Sequence, residues 1–360
     1  MGSSVKLAYL DSLRGIASIV VVISHITLLY FPYLHNFGES KIPEDYVIQS
    51  WLHNSPFGFF YSGSTAVYIF FVMSGIVLSI GASKYSTSTG KLIISRYVRL
   101  AIPAAASCII AYFMISIIRI YNISIDDNLI NKSLSVDNPG ILNAIYYGAV
   151  RSVFYLRGSI EYNPVLWTMA IEFYGSIFLY ISYRTKKPII SMSIFSALCS
   201  IISFNIFCGI FCFLIGMLIF KNIKNLPNKI NLPLIFIGIY FSGIHSDSPS
   251  YYIFTLFFGK YTYTLLNAIA GVIFVYVVVS SPGIKKVLSA KILQKLGKLS
   301  FPIYLVHWSA IYIVSNTLML VGINNTVISI VLSIVLTLLI SMLFFYIDKL
   351  SISISKAFKR

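Results

Sequence analysis

The feature that most constrains this chain is a succession of apolar runs, each close to the ~17–25 helical residues needed to cross a hydrocarbon layer of about 30 Å. They fall at 14–31, 62–81, 100–120, 165–183, 188–204, 206–221, 231–245, 261–281, 300–321 and 325–347, with most of the basic residues between them. Hydrophobic residues make up 58% of the chain and charged residues 11%, against roughly 45–50% and 25% in soluble domains. Strand-like alternation is absent, which excludes a barrel. In lipid every backbone amide must then be satisfied within its own segment. The expected fold is all-α: a polytopic membrane bundle of about ten transmembrane helices. Two stretches leave alternatives open: 188–221 reads as one bent hairpin or two short helices, and 231–258 has room for an extra interfacial segment.

A net charge of +16 would suit nucleic acid if it were clustered on a soluble surface. Here the basic residues lie between apolar runs, where Lys and Arg hold cytoplasmic loops. With the N-terminus inside, all but six of the 27 Lys and Arg residues fall on the cytoplasmic side; Lys41, Arg119, Lys132, Arg151, Arg157 and Lys260 fall outside. Both termini are therefore expected in the cytoplasm, with membrane lipid and not nucleic acid as the surrounding partner. No cleavable signal is expected at the N-terminus. Cys108, Cys199, Cys208 and Cys212 all sit in apolar runs without the pairing or His neighbours of a metal site, so they read as packing residues and no metal is expected. Residues 1–350 are expected to form one membrane domain followed by a short basic tail at 351–360, and no appended extracytoplasmic domain is expected. Two outer loops are long, 32–61 and 121–163. The first is rich in aromatics (Trp51, Phe57, Phe59, Phe60, Tyr61) and reads first as an interfacial belt, second as a lid or sugar-stacking surface.

Ionisable groups inside a bilayer cost about 2.5–3.5 kcal/mol each even on the mild insertion scale, so those present are informative. His25 follows Arg14 by about 16 Å of helix, near the midplane if Arg14 marks the inner edge. Glu172 lies about 12 Å into the fourth run from its outer end, and His307 about 10 Å into the ninth. Three titratable groups on three helices thus match in depth. Histidine exchanges protons near neutral pH, and a carboxylate can orient it. Asp11 and Glu172 are both open as that partner. Arg96 and Arg99, three apart on one helix face, suit phosphate oxygens, although spacing alone favours ordinary positive-inside anchors. For Ser74-Gly75 the default reading is close helix packing.

Taken in order, Tyr9-Leu10-Asp11-Ser12-Leu13-Arg14-Gly15 running to His25, Phe70 to Gly75, Arg96 to Pro103, Leu166 to Tyr174 and Ser300 to His307 resemble the acyltransferase 3 family of membrane O-acyltransferases. The resemblance spans nearly the whole chain. It implies transfer of an acyl group, most often acetyl, from cytoplasmic acyl-coenzyme A (acetyl-CoA) to a hydroxyl of a glycan or lipid-linked glycan at the outer face, such as bacterial O-antigen. The implied location is the bacterial inner membrane. It further implies a catalytic His25, assigns Arg14, Arg96 and Arg99, with Ser74 and Gly75, to the coenzyme A donor, and marks Trp167, Tyr304 and His307 as further site candidates. Thr168 stands where relatives usually carry Ser, and Phe173 follows Glu172 where a second acid is common. The rival readings are a proton-coupled transporter using His25, Glu172 and His307 as a relay, and an acyltransferase acting on a small-molecule acceptor.

Overall fold

The structure, a computed structural model, describes residues 8–35, 47–83, 87–121, 134, 136–158, 160–222, 227–246 and 248–359. Lys6, Lys41, Lys84, Lys132, Lys224 and Arg360, which enter the charge argument, lie outside the described residues. Among the described residues eight helices are long and apolar enough to cross a membrane, and two shorter ones are apolar. Numbering these alone gives α1 (Ala8–Tyr30), α2 (Gly63–Ala82), α3 (Thr89–Ile120), α4 (Trp167–Ser182) and α5 (Pro188–Cys199). They are followed by α6 (Phe204–Asn222), α7 (Asn231–Ser242), α8 (Thr262–Ser280), α9 (Lys291–Leu320) and α10 (Thr326–Ala357). No strand occurs among the described residues. The chain is a polytopic helical bundle. The 188–221 stretch resolves into two helices, and 231–258 into α7, a 3-10 turn at Pro249–Tyr251 and a short helix at Tyr252–Phe258 that leads into α8.

Three helices overrun their expected spans by about nine residues or more. Helix α3 begins at Thr89 rather than near 100, α9 at Lys291 rather than 300, and α10 runs to Ala357 rather than 347, into the stretch read as a tail. The reason is electrostatic. Apolar-run reading stops at charged residues, but Arg96, Arg99 and Asp348 line one cavity inside the bundle, with the exposed Lys298 at its margin, so the helices carry on through them.

Close approach of small residues holds the helices together, as expected where lipid removes the hydrophobic drive between them. At the α1–α9 crossing, a Cβ on Gly15 would lie 2.7 Å from the Gly297 amide nitrogen. At the α2–α6 crossing, a Cβ on Gly75 would meet the Phe213 carbonyl and come within 3.0 Å of the Gly216 Cα. Helix α10 is built inside out relative to a soluble helix. Its buried residues are Ser329, Ser333, Thr337, Ser341, Phe344, Asp348, Ser351 and Ser355, a narrow stripe at helical spacing, while Val327, Val331, Leu339 and Leu343 point outward. A test follows from Gly75: replacement by Leu should overpack the crossing by about 1–3 kcal/mol or more and lower the unfolding midpoint in detergent. Gly81→Leu on the same helix, where a Cβ meets nothing within 4 Å, should leave it unchanged.

Part of the first outer loop packs over the end of α1 remote from Arg14. His35, His53 and Tyr61 are buried there with His245. Burial holds His35 down to about 4 and His245 to about 3, so both are neutral at neutral pH. Trp51, Phe57 and Phe60 remain exposed, with the Trp51 and Phe57 rings stacked at 4.9 Å.

Candidate active site

A cavity of about 430 Å³ lies among α1, α2, α3, α4, α9 and α10. Two prolines shape its wall. Pro103 in α3 and Pro302 in α9 carry no amide hydrogen, so each leaves the carbonyl four residues earlier without its usual helical partner. Those carbonyls belong to Arg99 and Lys298, both cavity-lining residues.

The three arginines of the cavity are held differently. Arg96 donates from Nε to Ser176 Oγ (2.9 Å) and from Nη2 to Glu172. Glu172 in turn accepts from Ser74 Oγ at 2.9 Å. Arg99 donates from Nη1 to Asp348 (2.5 Å) and Ser351 (2.9 Å), with its guanidinium 5.0 Å from the Phe301 ring centre. Arg14 has only Asp11, at 3.9 Å, as an ion-pair partner among the described residues. Of the five N–H groups a guanidinium offers, Arg96 and Arg99 each commit two and Arg14 none among the described residues. Of the three arginines Arg14 is the best placed to meet a ligand, whereas the other two are braced first by carboxylates.

Deeper in the bundle His25 meets His307. His25 Nδ1 lies 2.8 Å from His307 Nε2, with ring centres 5.0 Å apart and ring planes 15° from parallel. The tautomers follow from the network. His307 Nδ1 lies 3.0 Å from the Ile303 carbonyl, which can only accept, so His307 carries its proton on Nδ1 and its Nε2 accepts. His25 must therefore donate from Nδ1. That leaves the lone pair on His25 Nε2, which has no partner among the described residues, and Trp308 fixes the ring edge-on at 4.5 Å. A neutral imidazole oriented by one nitrogen and bare at the other is the geometry of a general base.

This corrects the expected partners of His25. Asp11 sits on the same helix fourteen residues earlier, about 21 Å away along the axis, and pairs with Arg14. Glu172 is committed to Arg96 and Ser74. A His25–Glu172–His307 relay, which the transport reading needs, is not formed. Two other candidates are also displaced. Gly75 faces α6, outside the cavity lining, while Ser74 lines it. Trp167 is 46% exposed and lines a separate groove on the other face of α4.

Tyr304 separates the two parts of the site. It lines the cavity, donates to the Val165 carbonyl at 2.7 Å and accepts from Thr168 Oγ1 at 2.9 Å. Its ring centre is 6.1 Å from that of His307, whereas neither histidine lines the cavity. The Thr168 hydroxyl thus serves as a clamp on Tyr304. Sequence reasoning missed Asp348, Ser351, Ser176, Lys298 and Phe301. A signal for the first two was present: the small polar stripe of α10 continues in step from Ser329 to Ser355, past the point where the apolar run ends.

In this helical bundle an arginine-walled cavity lies beside a paired, oriented histidine, residue types able to hold an anion and to exchange a proton. The chain belongs to the acyltransferase 3 family: the family's sequence model, described as an acyltransferase domain, matches residues 7–346. No curated protein and no solved structure matches the chain. The protein is accordingly a multi-pass membrane acyltransferase.

Proposed function

We propose that the protein transfers an acyl group, most simply acetyl, from acyl-coenzyme A to a hydroxyl of a surface glycan, with the bacterial inner membrane as its location. The observation that carries the reading is the His25–His307 pair, which leaves His25 Nε2 as an unpartnered base next to a cavity walled by Arg14, Arg96 and Arg99. The donor's phosphates lie against Arg14, with Arg96 and Arg99 offering their uncommitted N–H groups. The thioester points toward Tyr304, whose release from Thr168 and Val165 joins the cavity to His25. His25 takes the proton of the acceptor hydroxyl as that oxygen attacks the thioester carbonyl. The C–S bond breaks, and the departing thiolate receives the proton from His25.

The test is direct. Membranes containing the protein are supplied with labelled acetyl-CoA and a glycan acceptor, and ester-linked acetyl is read by mass and NMR. Absence of acetyl on any hydroxyl, with folded protein present, sinks the reading. Arg14 provides a sharper measurement. Hydrogen bonds to charged groups contribute about 1.5–3 kcal/mol, so Arg14→Ala should raise the donor KM on the order of 10- to 100-fold with the acceptor KM unchanged. Arg14→Lys should recover only part of this, because an ammonium lacks the planar fork.

A further inference from the structure

Helix α4 has two faces, and they line two different spaces. Thr168, Met169 and Glu172 line the arginine cavity, while Trp167 and Ile171 line a groove of about 490 Å³ on the other side. The groove lies at the end of the bundle opposite the start of α3, because α4 runs from Trp167 toward Arg184, which bonds to Thr89 at that start. By the charge argument this is the outer end.

The composition of the groove is the reverse of the cavity's. Inside the cavity each arginine has a carboxylate partner; the groove wall contains Arg157 and Lys260 and, among the described residues, no carboxylate. Both cations are exposed, Arg157 without an ion-pair partner among the described residues, and Lys260 with its Nζ 5.3 Å from the Tyr261 ring centre. Three aromatic rings surround them, Tyr155 and Trp167 each 46% exposed and Tyr261 44% exposed. Two of these rings are braced from behind: Arg151 stacks on Tyr155 at 4.4 Å, and Phe204 packs against Tyr261 at 4.6 Å between centres. Asn205 adds an exposed amide, its oxygen already accepting from Thr264 at 2.7 Å so that its nitrogen is left to donate. Rings with one apolar face and one wet edge suit a ligand that is itself amphipathic in small patches, and the C–H face of a pyranose is such a surface. Unneutralised Arg and Lys beside them select for an anion, phosphate above all.

We infer that this groove is a binding site for a phosphate-bearing saccharide, its sugar rings on Trp167, Tyr155 and Tyr261 and its phosphate between Arg157 and Lys260. His25 does not line the groove, so the groove holds a part of the ligand away from any reacting hydroxyl. The inference goes beyond acyl transfer and is tested without it.

The protein is placed in phosphatidylcholine nanodiscs with no acyl donor, and equilibrium binding of an oligosaccharide 1-phosphate is compared with the same neutral oligosaccharide and with inorganic phosphate. Saturable binding of the phosphorylated sugar is expected, weakened about tenfold or more by Trp167→Ala and by the double variant Arg157→Gln/Lys260→Gln. Both alterations are at exposed side chains, and an unchanged unfolding midpoint shows that they fold. Three results overturn the inference: no binding, inorganic phosphate binding equally well with no effect of Trp167→Ala, or competition by phosphatidylglycerol discs strong enough to mark a lipid headgroup site. A failure here leaves the acetyl-transfer assay untouched, and a negative acetyl-transfer assay leaves this binding measurement untouched.

Discussion

His25→Gln is expected to lower the acyl-transfer rate by on the order of 10²–10⁴-fold, the usual contribution of a positioned general base, in a protein that still folds. Glutamine keeps a polar group near His307 but has no basic nitrogen, so the loss should appear in kcat and leave the donor KM in place. His307→Gln separates positioning from catalysis. His307 touches no space in which substrate is placed; it is fully buried and its Nε2 is spent on His25. Its loss should therefore reduce kcat less than loss of His25, and it should alter the acid limb of the pH–rate profile. A base works only when unprotonated, so the rate falls as pH drops through its pKa, and the neighbour that fixes its tautomer helps to set where that fall lies. Full activity in His25→Gln would remove the base from the mechanism. A His307→Gln profile identical in shape to the parent's would remove the positioning role.

The histidine pair also shows how far the sequence carries the argument. Apolar run lengths locate the ten apolar helices, because crossing a bilayer leaves few alternatives, and depth counting brings His25 and His307 to one level. Depth is only one coordinate. It does not give rotation about the helix axis, and rotation decides that His25 meets His307 while Glu172, which counting places at a similar depth, turns toward Arg96 and Ser74. The same missing coordinate assigns Trp167 to an outer groove and its neighbour Thr168 to the cavity. Asp11 was excludable from the sequence alone, since fourteen residues of helix hold it about 21 Å from His25. Asp348 was hidden for a different reason. Apolar-run reading treats a lone acid near a run's end as the edge of the membrane, when here it is the counterion of Arg99.

The assignment of Glu172 as a brace for Arg96, and not as an acid in the reaction, predicts a stability effect where a catalytic role predicts a rate effect. Breaking a buried ion pair by removing one member costs about 3–5 kcal/mol, because the remaining charge is left without compensation. The Arg96 and Glu172 side chains are 16% and 11% exposed, so the cost should fall toward the lower part of that range. Glu172→Gln should thus lower the unfolding midpoint in detergent, and Ser74→Ala, which removes one donor to the same carboxylate, should lower it less. Replacing both charges, as in Arg96→Met/Glu172→Met, should restore most of the stability, since exchanging a whole buried pair for apolar side chains is often neutral or better. That double variant should nevertheless bind the acyl donor weakly, because it has lost a cavity cation. If Glu172→Gln instead unfolded at the parent's midpoint while kcat collapsed, the carboxylate would belong to the chemistry and the brace would be wrong. The double variant decides the matter independently, because a restored midpoint with weak donor binding is an outcome that only a charge pair held for the ligand's sake produces.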